Sequence, residues 1–169
     1  MKYLSLLALA ALTFLLPVSA KAGTFFYPTQ SEEWFSVTIP DGWNPKVADE
    51  TVEATAPDNV AYLAFWVLKD QADFASAEKD IDDILKDSVT DMKIAGEAKE
   101  KEVNGIKYAI VEGTGKDKRE KKTDVTFQVW MFEPKPGKVG ILYMDRDTTA
   151  AADVQKALSD IVASIKLKK

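Results

Sequence analysis

The sequence predicts an α+β fold, a three-layer α/β/α sandwich built from a mainly antiparallel sheet of about six to seven strands and two main helices. Three observations carry that expectation. Ala61 to Leu68 (AYLAFWVL), Val129 to Phe132 (VWMF) and Val139 to Met144 (VGILYM) are apolar without alternation, the pattern of strands covered on both faces. Two separated stretches instead place their apolar residues at helical spacing, one for each side of such a sheet. Between them, Asn104-Gly105 is a pair that supplies the positive backbone angles of a two-residue hairpin, so its flanking strands pair antiparallel.

The first twenty residues stand apart from this pattern. Met1 and Lys2 precede an uncharged apolar run from Tyr3 to Leu16, closed by Pro17. Val18-Ser19-Ala20 and Ala20-Lys21-Ala22 both fit the small-x-small rule of signal-peptide cleavage, so residues 1–20 are read as a secretory leader cut after Ala20 or Ala22, with Ala20 favoured. The run from Tyr3 to Val18 is too short to span a membrane, which takes about 20 apolar residues. What remains, 23–169, is one domain without linker, repeat or low-complexity tract.

Along that domain, Phe35, Val37 and Ile39 alternate with polar residues and end at Pro40-Asp41-Gly42, a strand with one wet face running into a turn. Thr51 to Ala56 is a second strand, turned by Pro57-Asp58-Asn59 into the run from Val60 to Leu68. From Ser76 to about Met92 the residues Ala77, Ile81, Ile84, Leu85, Ser88, Val89 and Met92 share a helical face, behind a cap at Asp73 or Ser76. The opposite face is acidic (Glu78, Asp80, Asp82, Asp83, Asp87 and Asp91), as a solvated face commonly is. Four strands follow, near 93–103, 106–114, 124–132 and 139–145. The last two are joined by Pro134-Lys135-Pro136-Gly137, and a charged hairpin loop at Lys116 to Lys122 lies between the middle two. Ala151, Val154, Leu158, Ile161, Val162 and Ile165 mark the second helix, capped near Asp147 or Thr148.

Composition narrows the chemistry further. The chain has neither cysteine nor histidine, which removes thiolate nucleophiles, Ser-His-Asp triads, iron–sulfur clusters and His-ligated zinc or haem. Without disulfides the domain stands on its core, and a chain of this size buries roughly 68–70% of its unfolded surface. Exported domains lacking disulfides point to a bacterial envelope. The 22 basic and 27 acidic residues give −5, or −6 once Lys2 leaves with the leader. Such a balance disfavours nucleic acid and anionic lipid, which bind through Lys and Arg.

The stretch Phe35-x-Val37-x-Ile39-Pro40-x-Gly42-Trp43 resembles the strand, Pro-x-Gly turn and tryptophan near the start of PsbP-like domains. That superfamily is named for an extrinsic photosystem II subunit and includes many bacterial envelope proteins. The order of elements, from about Phe25 to Leu167, is similar as well. The resemblance implies an α/β/α sandwich and adaptor, chaperone or accessory roles; it implies no catalytic residue and no cofactor.

Candidate site residues are therefore few. Lys116, Lys118, Arg119, Lys121 and Lys122, interrupted by Asp117 and Glu120, form the one basic concentration, able to steer an acidic partner or simply to keep a hairpin tip soluble. Asp145 and Asp147, two apart on a strand, point the same way; they are a Ca²⁺ pair or, more simply, a helix cap and a loop charge. Gly113-Thr114-Gly115 lacks the following helix that a phosphate loop requires. Trp66 and Trp130 lie in apolar runs and belong to the core, Trp43 plugs one end of it, and Trp34 is the more open tryptophan, since it and its neighbour Phe35 face opposite sides and one of the two is left for the surface and a partner. The sequence is thus read as an exported, non-enzymatic accessory or binding protein of the bacterial periplasm or exterior, touching an envelope protein. A small-ligand carrier with a pocket between sheet and helix is the alternative, and a carboxylate hydrolase a distant third.

Overall fold

A computed structural model describes residues 22–48, 50–69, 73–119 and 122–168; the leader and Lys121 lie outside them. The strands β1 (Ala22–Tyr27), β2 (Phe35–Pro40), β3 (Lys46–Ala48), β4 (Thr51–Thr55) and β5 (Ala61–Val67) precede helix α1 (Glu78–Ser88). Then come β6 (Val89–Ile94), β7 (Lys99–Val103), β8 (Ile106–Asp117), β9 (Asp124–Lys135), β10 (Lys138–Asp147), helix α2 (Ala152–Ala163) and the short β11 (Lys166–Leu167).

The expected α+β architecture of two helices about an antiparallel sheet is what forms. Among the described residues the main sheet has eight strands, in the order β3-β4-β5-β10-β9-β8-β6, with β7 also paired to β8. Every pairing is antiparallel. The three unalternating runs fall on its centre. In β10 every residue from Val139 to Asp145 is buried, because alternate side chains enter different cores. Leu142 and Met144 pack with Leu158, Ile161 and Val162 of α2. Ile141 and Tyr143 pack with Ile81 and Leu85 of α1.

Four sequence expectations need correction. The strand at Phe35 is not the wet edge of the main sheet. It is the middle of a second, three-stranded sheet, β1-β2-β11, and Phe35, Val37 and Ile39 share the core of α2. Ser164 locks the two together: its Oγ accepts from the Thr38 amide at 2.9 Å. The first helix ends at Ser88, not Met92, since Val89 turns extended and pairs with Asp117; Val89 still reaches the α1 core, so the helical spacing ran on past the helix. The predicted strand 93–103 is two collinear strands, β6 and β7, broken around Gly96 (φ +89°) and lying end to end along β8. Finally, neither helix has the expected cap: α1 begins after Ala77 rather than at Asp73 or Ser76, and α2 after Ala151 rather than at Asp147 or Thr148, both without a side-chain cap, Asp147 being still inside β10.

The turn chemistry reads as expected. Asn104 (φ 53°) and Gly105 (φ 79°) close the β7–β8 hairpin, and Pro136-Gly137 close β9–β10. Gly113 and Gly115 have a packing role: β6 bulges between Thr90 and Lys93 and presses onto them. A Cβ on Gly115 would strike Val89 Cγ1 and lie 2.7 Å from the Thr90 carbonyl. Gly115→Ala is therefore expected to lower stability by about 1–3 kcal/mol. Gly42→Ala, whose methyl meets nothing within 4 Å, should stay within about 0.5 kcal/mol. Equal effects of the two in urea titrations would contradict the close seating of β6.

Candidate functional site

Two polar centres form where β8, β9 and β10 meet, one on each face of the sheet. On the α1 face, Arg119 leaves the β8–β9 loop and folds back over the sheet. Its Nε donates to Asp117 Oδ1 at 2.8 Å and its Nη2 to Asp145 Oδ1 at 2.5 Å. The guanidinium carbon sits 4.2 Å from the centre of the Tyr62 ring, and the Tyr143 hydroxyl donates to the other Asp145 oxygen at 2.8 Å. Asp145 is only 2% exposed. Burial pushes its carboxyl up to about 6, with Arg119 and Tyr143 opposing the shift. Burial likewise raises the Tyr62 and Tyr143 hydroxyls.

This places the basic run of the sequence. Arg119 lies back over the sheet with over a third of its side chain exposed, while Lys118 donates to the Lys86 carbonyl at the end of α1. Lys116 faces Asp91 at 3.6 Å, and Lys122 is exposed at a positive φ of 48°. The four described side chains do not converge on one patch. Trp34 is half-buried elsewhere, edge-on to Tyr27 with ring centres 6.1 Å apart and Lys135 Nζ 5.2 Å from its own ring centre. Asp145 and Asp147 do share a face, but each has protein partners: Asp147 Oδ1 accepts from the Thr123 hydroxyl at 2.6 Å.

On the opposite face, a groove of about 700 Å³ opens between α2 and the sheet. Cross-strand register builds its floor in rows. Arg146, Thr126 and Thr114 form the outer row, Met144, Gln128 and Glu112 the next, and Leu142, Trp130 and Ile110 the row entering the core. One face of α2 makes the wall, with Leu158 and Val162 buried and Gln155, Ser159 and Ala163 at the rim. The β7 strand closes the far end with Lys101 and Val103. Asn104 pins that end to α2, its Nδ2 donating to the Ala163 carbonyl at 2.6 Å.

The middle of the floor is wired together. Trp130 Nε1 donates to Gln128 Oε1 at 3.0 Å, Gln128 Nε2 donates to Glu112 Oε1 at 2.7 Å, and Lys99 Nζ meets Glu112 Oε2 at 2.7 Å. The lysine bond holds Glu112 below the usual carboxylate range. Lys101 Nζ lies 5.2 Å from the centre of the Trp130 ring. Sequence reasoning named Trp130 only as core and passed over Arg146, Gln128, Thr126 and Glu112. The available signal was the alternation Val125-Thr126-Phe127-Gln128-Val129, whose polar positions all face the groove.

No family model and no curated protein matches the chain. Among solved structures it is similar to cyanobacterial PsbP (CyanoP) from Synechocystis sp. PCC 6803, at 11% identity and a TM-score of 0.57, over 93% of this chain and 99% of that one. A crystal structure from Bacteroides thetaiotaomicron aligns at 19% identity and a TM-score of 0.53. That match takes in 80% of this chain and 46% of the Bacteroides chain, so this protein spans under half of it. The fold is PsbP-like.

The buried carboxylate has a consequence for stability. Below about pH 3 Asp145 is neutral in folded and unfolded chains alike. Its folded value is raised, so as pH climbs toward 6 and beyond, ionisation penalises the folded state, by about 3 kcal/mol for a shift of this size. Relative to Asp145→Asn, the wild type is expected to lose stability by that order between about pH 4 and pH 7. A difference between the two proteins that is constant with pH in urea unfolding would contradict the buried carboxylate.

Proposed function

We propose that this chain is an exported, non-enzymatic binding protein of the bacterial envelope, serving an accessory role by holding a small ligand in the groove between α2 and the sheet. The groove itself carries the reading: about 700 Å³ of space in which sheet residues present polar groups beside an apolar wall, the usual make-up of a small-molecule site. Export is supported by the leader pattern of residues 1–20. The residue inventory supports binding over catalysis. There is no histidine or cysteine, Glu112 is already held by Lys99 and Gln128, and Asp145, whose side chain leaves the other face of β10, spends its carboxylate on Arg119 and Tyr143. PsbP-like neighbours are compatible with accessory, non-enzymatic work.

Thermal-shift screening of the mature protein with a metabolite library tests this. A true ligand at about a hundred times its Kd adds about 2.7 kcal/mol, or roughly 5–10 °C for a domain of this size. The shift should vanish in Ser159→Trp, which fills the groove from the exposed rim. Shifts that persist undiminished in that variant would place binding elsewhere.

A further inference from the structure

We infer that the groove recognises an elongated amphiphilic carboxylate, with Arg146 as its anion receptor and Ala95, Val103 and Ala163, the accessible apolar residues at the far end of the lining, as the partners of its apolar tail. This rests on the groove being a binding site and specifies what binds there.

The chain has two arginines, and they differ in one respect. Arg119 is matched by Asp117 and Asp145, whereas Arg146 has no ion pair or side-chain hydrogen bond among the described residues. In sequence it looks neutralised, since Asp145 and Asp147 flank it. The pleat undoes that: neighbours on a strand point to opposite faces. Asp145 bonds Arg119 and Tyr143, and Asp147 bonds Thr123, while Arg146 lines the groove with Thr126 beside it and Thr114 one strand further. A half-buried guanidinium without a counter-charge, next to two hydroxyl donors, is a receptor for an oxyanion. The guanidinium fork matches a carboxylate in bidentate fashion. A single cation suits a monoanion better than a phosphate, because Lys101, the other free cation of the lining, sits at the far end over Trp130.

The distance between those ends sets the ligand's length. From Thr126 to Trp130 along β9 is four residues, roughly 13 Å at strand rise. From Gln155 to Ala163 along α2 is eight residues, about 12 Å at helical rise. Both agree with a saturated chain of about ten carbons lying parallel to α2.

Decanoate and its neutral counterpart decanamide are the probes, titrated into the mature protein, Arg146→Gln and Ser159→Trp and followed by amide NMR. Decanoate is expected to bind the wild type at least about tenfold more tightly than decanamide, the ratio given by one charge-assisted hydrogen-bonded contact. Arg146→Gln should weaken decanoate about tenfold and leave decanamide unchanged, which also shows that the variant is folded. Shifts should map to β8, β9, β10 and α2, and Ser159→Trp should abolish both. Equal wild-type affinity for the two probes would overturn the carboxylate assignment while leaving the groove as a binding site. Failure of both probes to bind, together with a metabolite screen that yields no groove ligand, would overturn the site as well.

Discussion

Strand β10 is sandwiched between two cores and hydrogen-bonded on both edges, to β5 and β9, so its side chains have only two directions to go. The pleat sends alternate residues to α1 and to α2 with the three-stranded sheet. That one geometric rule sorts the strand's apolar residues into two cores and its three terminal charges into two environments. A slip of one residue would put Asp145 on the groove side and Arg146 against Tyr62. It would also exchange Leu142 and Met144 with Ile141 and Tyr143, and this full repacking is what fixes the register.

Once the register is set, the two ends of the charge pattern behave differently for reasons of magnitude. Exposed pairs such as Lys79–Asp83 and Lys156–Asp160 contribute little, because water and salt screen them and two long side chains must be ordered, and the Lys116–Asp91 pair beside the β8–β9 loop is equally exposed. Removing a partner from a buried pair costs about 3–5 kcal/mol, because the survivor is stranded without water. Arg119 on Asp145 shares one half of that case: Arg119 is over a third exposed, but Asp145 is buried, so removing the arginine strands a buried carboxylate, and this contact, rather than the lysines around it, holds the loop to the sheet. The same loop that supplies net positive charge in sequence therefore uses its arginine as an internal clasp.

Much of the fold was legible because it rests on hydrophobic pattern. The unalternating runs located the centre of the sheet, the two helical stripes its covers, and Asn104-Gly105 a hairpin. The three-stranded sheet was hidden: β1 begins at Ala22, inside the region read as a cleavage site, and β11 is two residues long. Apolar spacing also failed at Val89, which serves the α1 core from a strand. The groove was anticipated only as a place between sheet and helix. Its residues lie on three strands far apart in sequence, brought into rows by register, and the Asp-Arg-Asp run conceals an unpaired arginine until the direction of each side chain is known.

The most direct measurement exploits there being two arginines, and hence two side-chain Nε–Hε signals in a nitrogen-15 spectrum. Arg119, bonded to Asp117 through that very group, should give a signal protected from solvent exchange and indifferent to added carboxylate. Arg146 should exchange rapidly and shift on titration with decanoate. Two protected signals in the unliganded protein, or a response confined to Arg119, would contradict the separation of charges across β10.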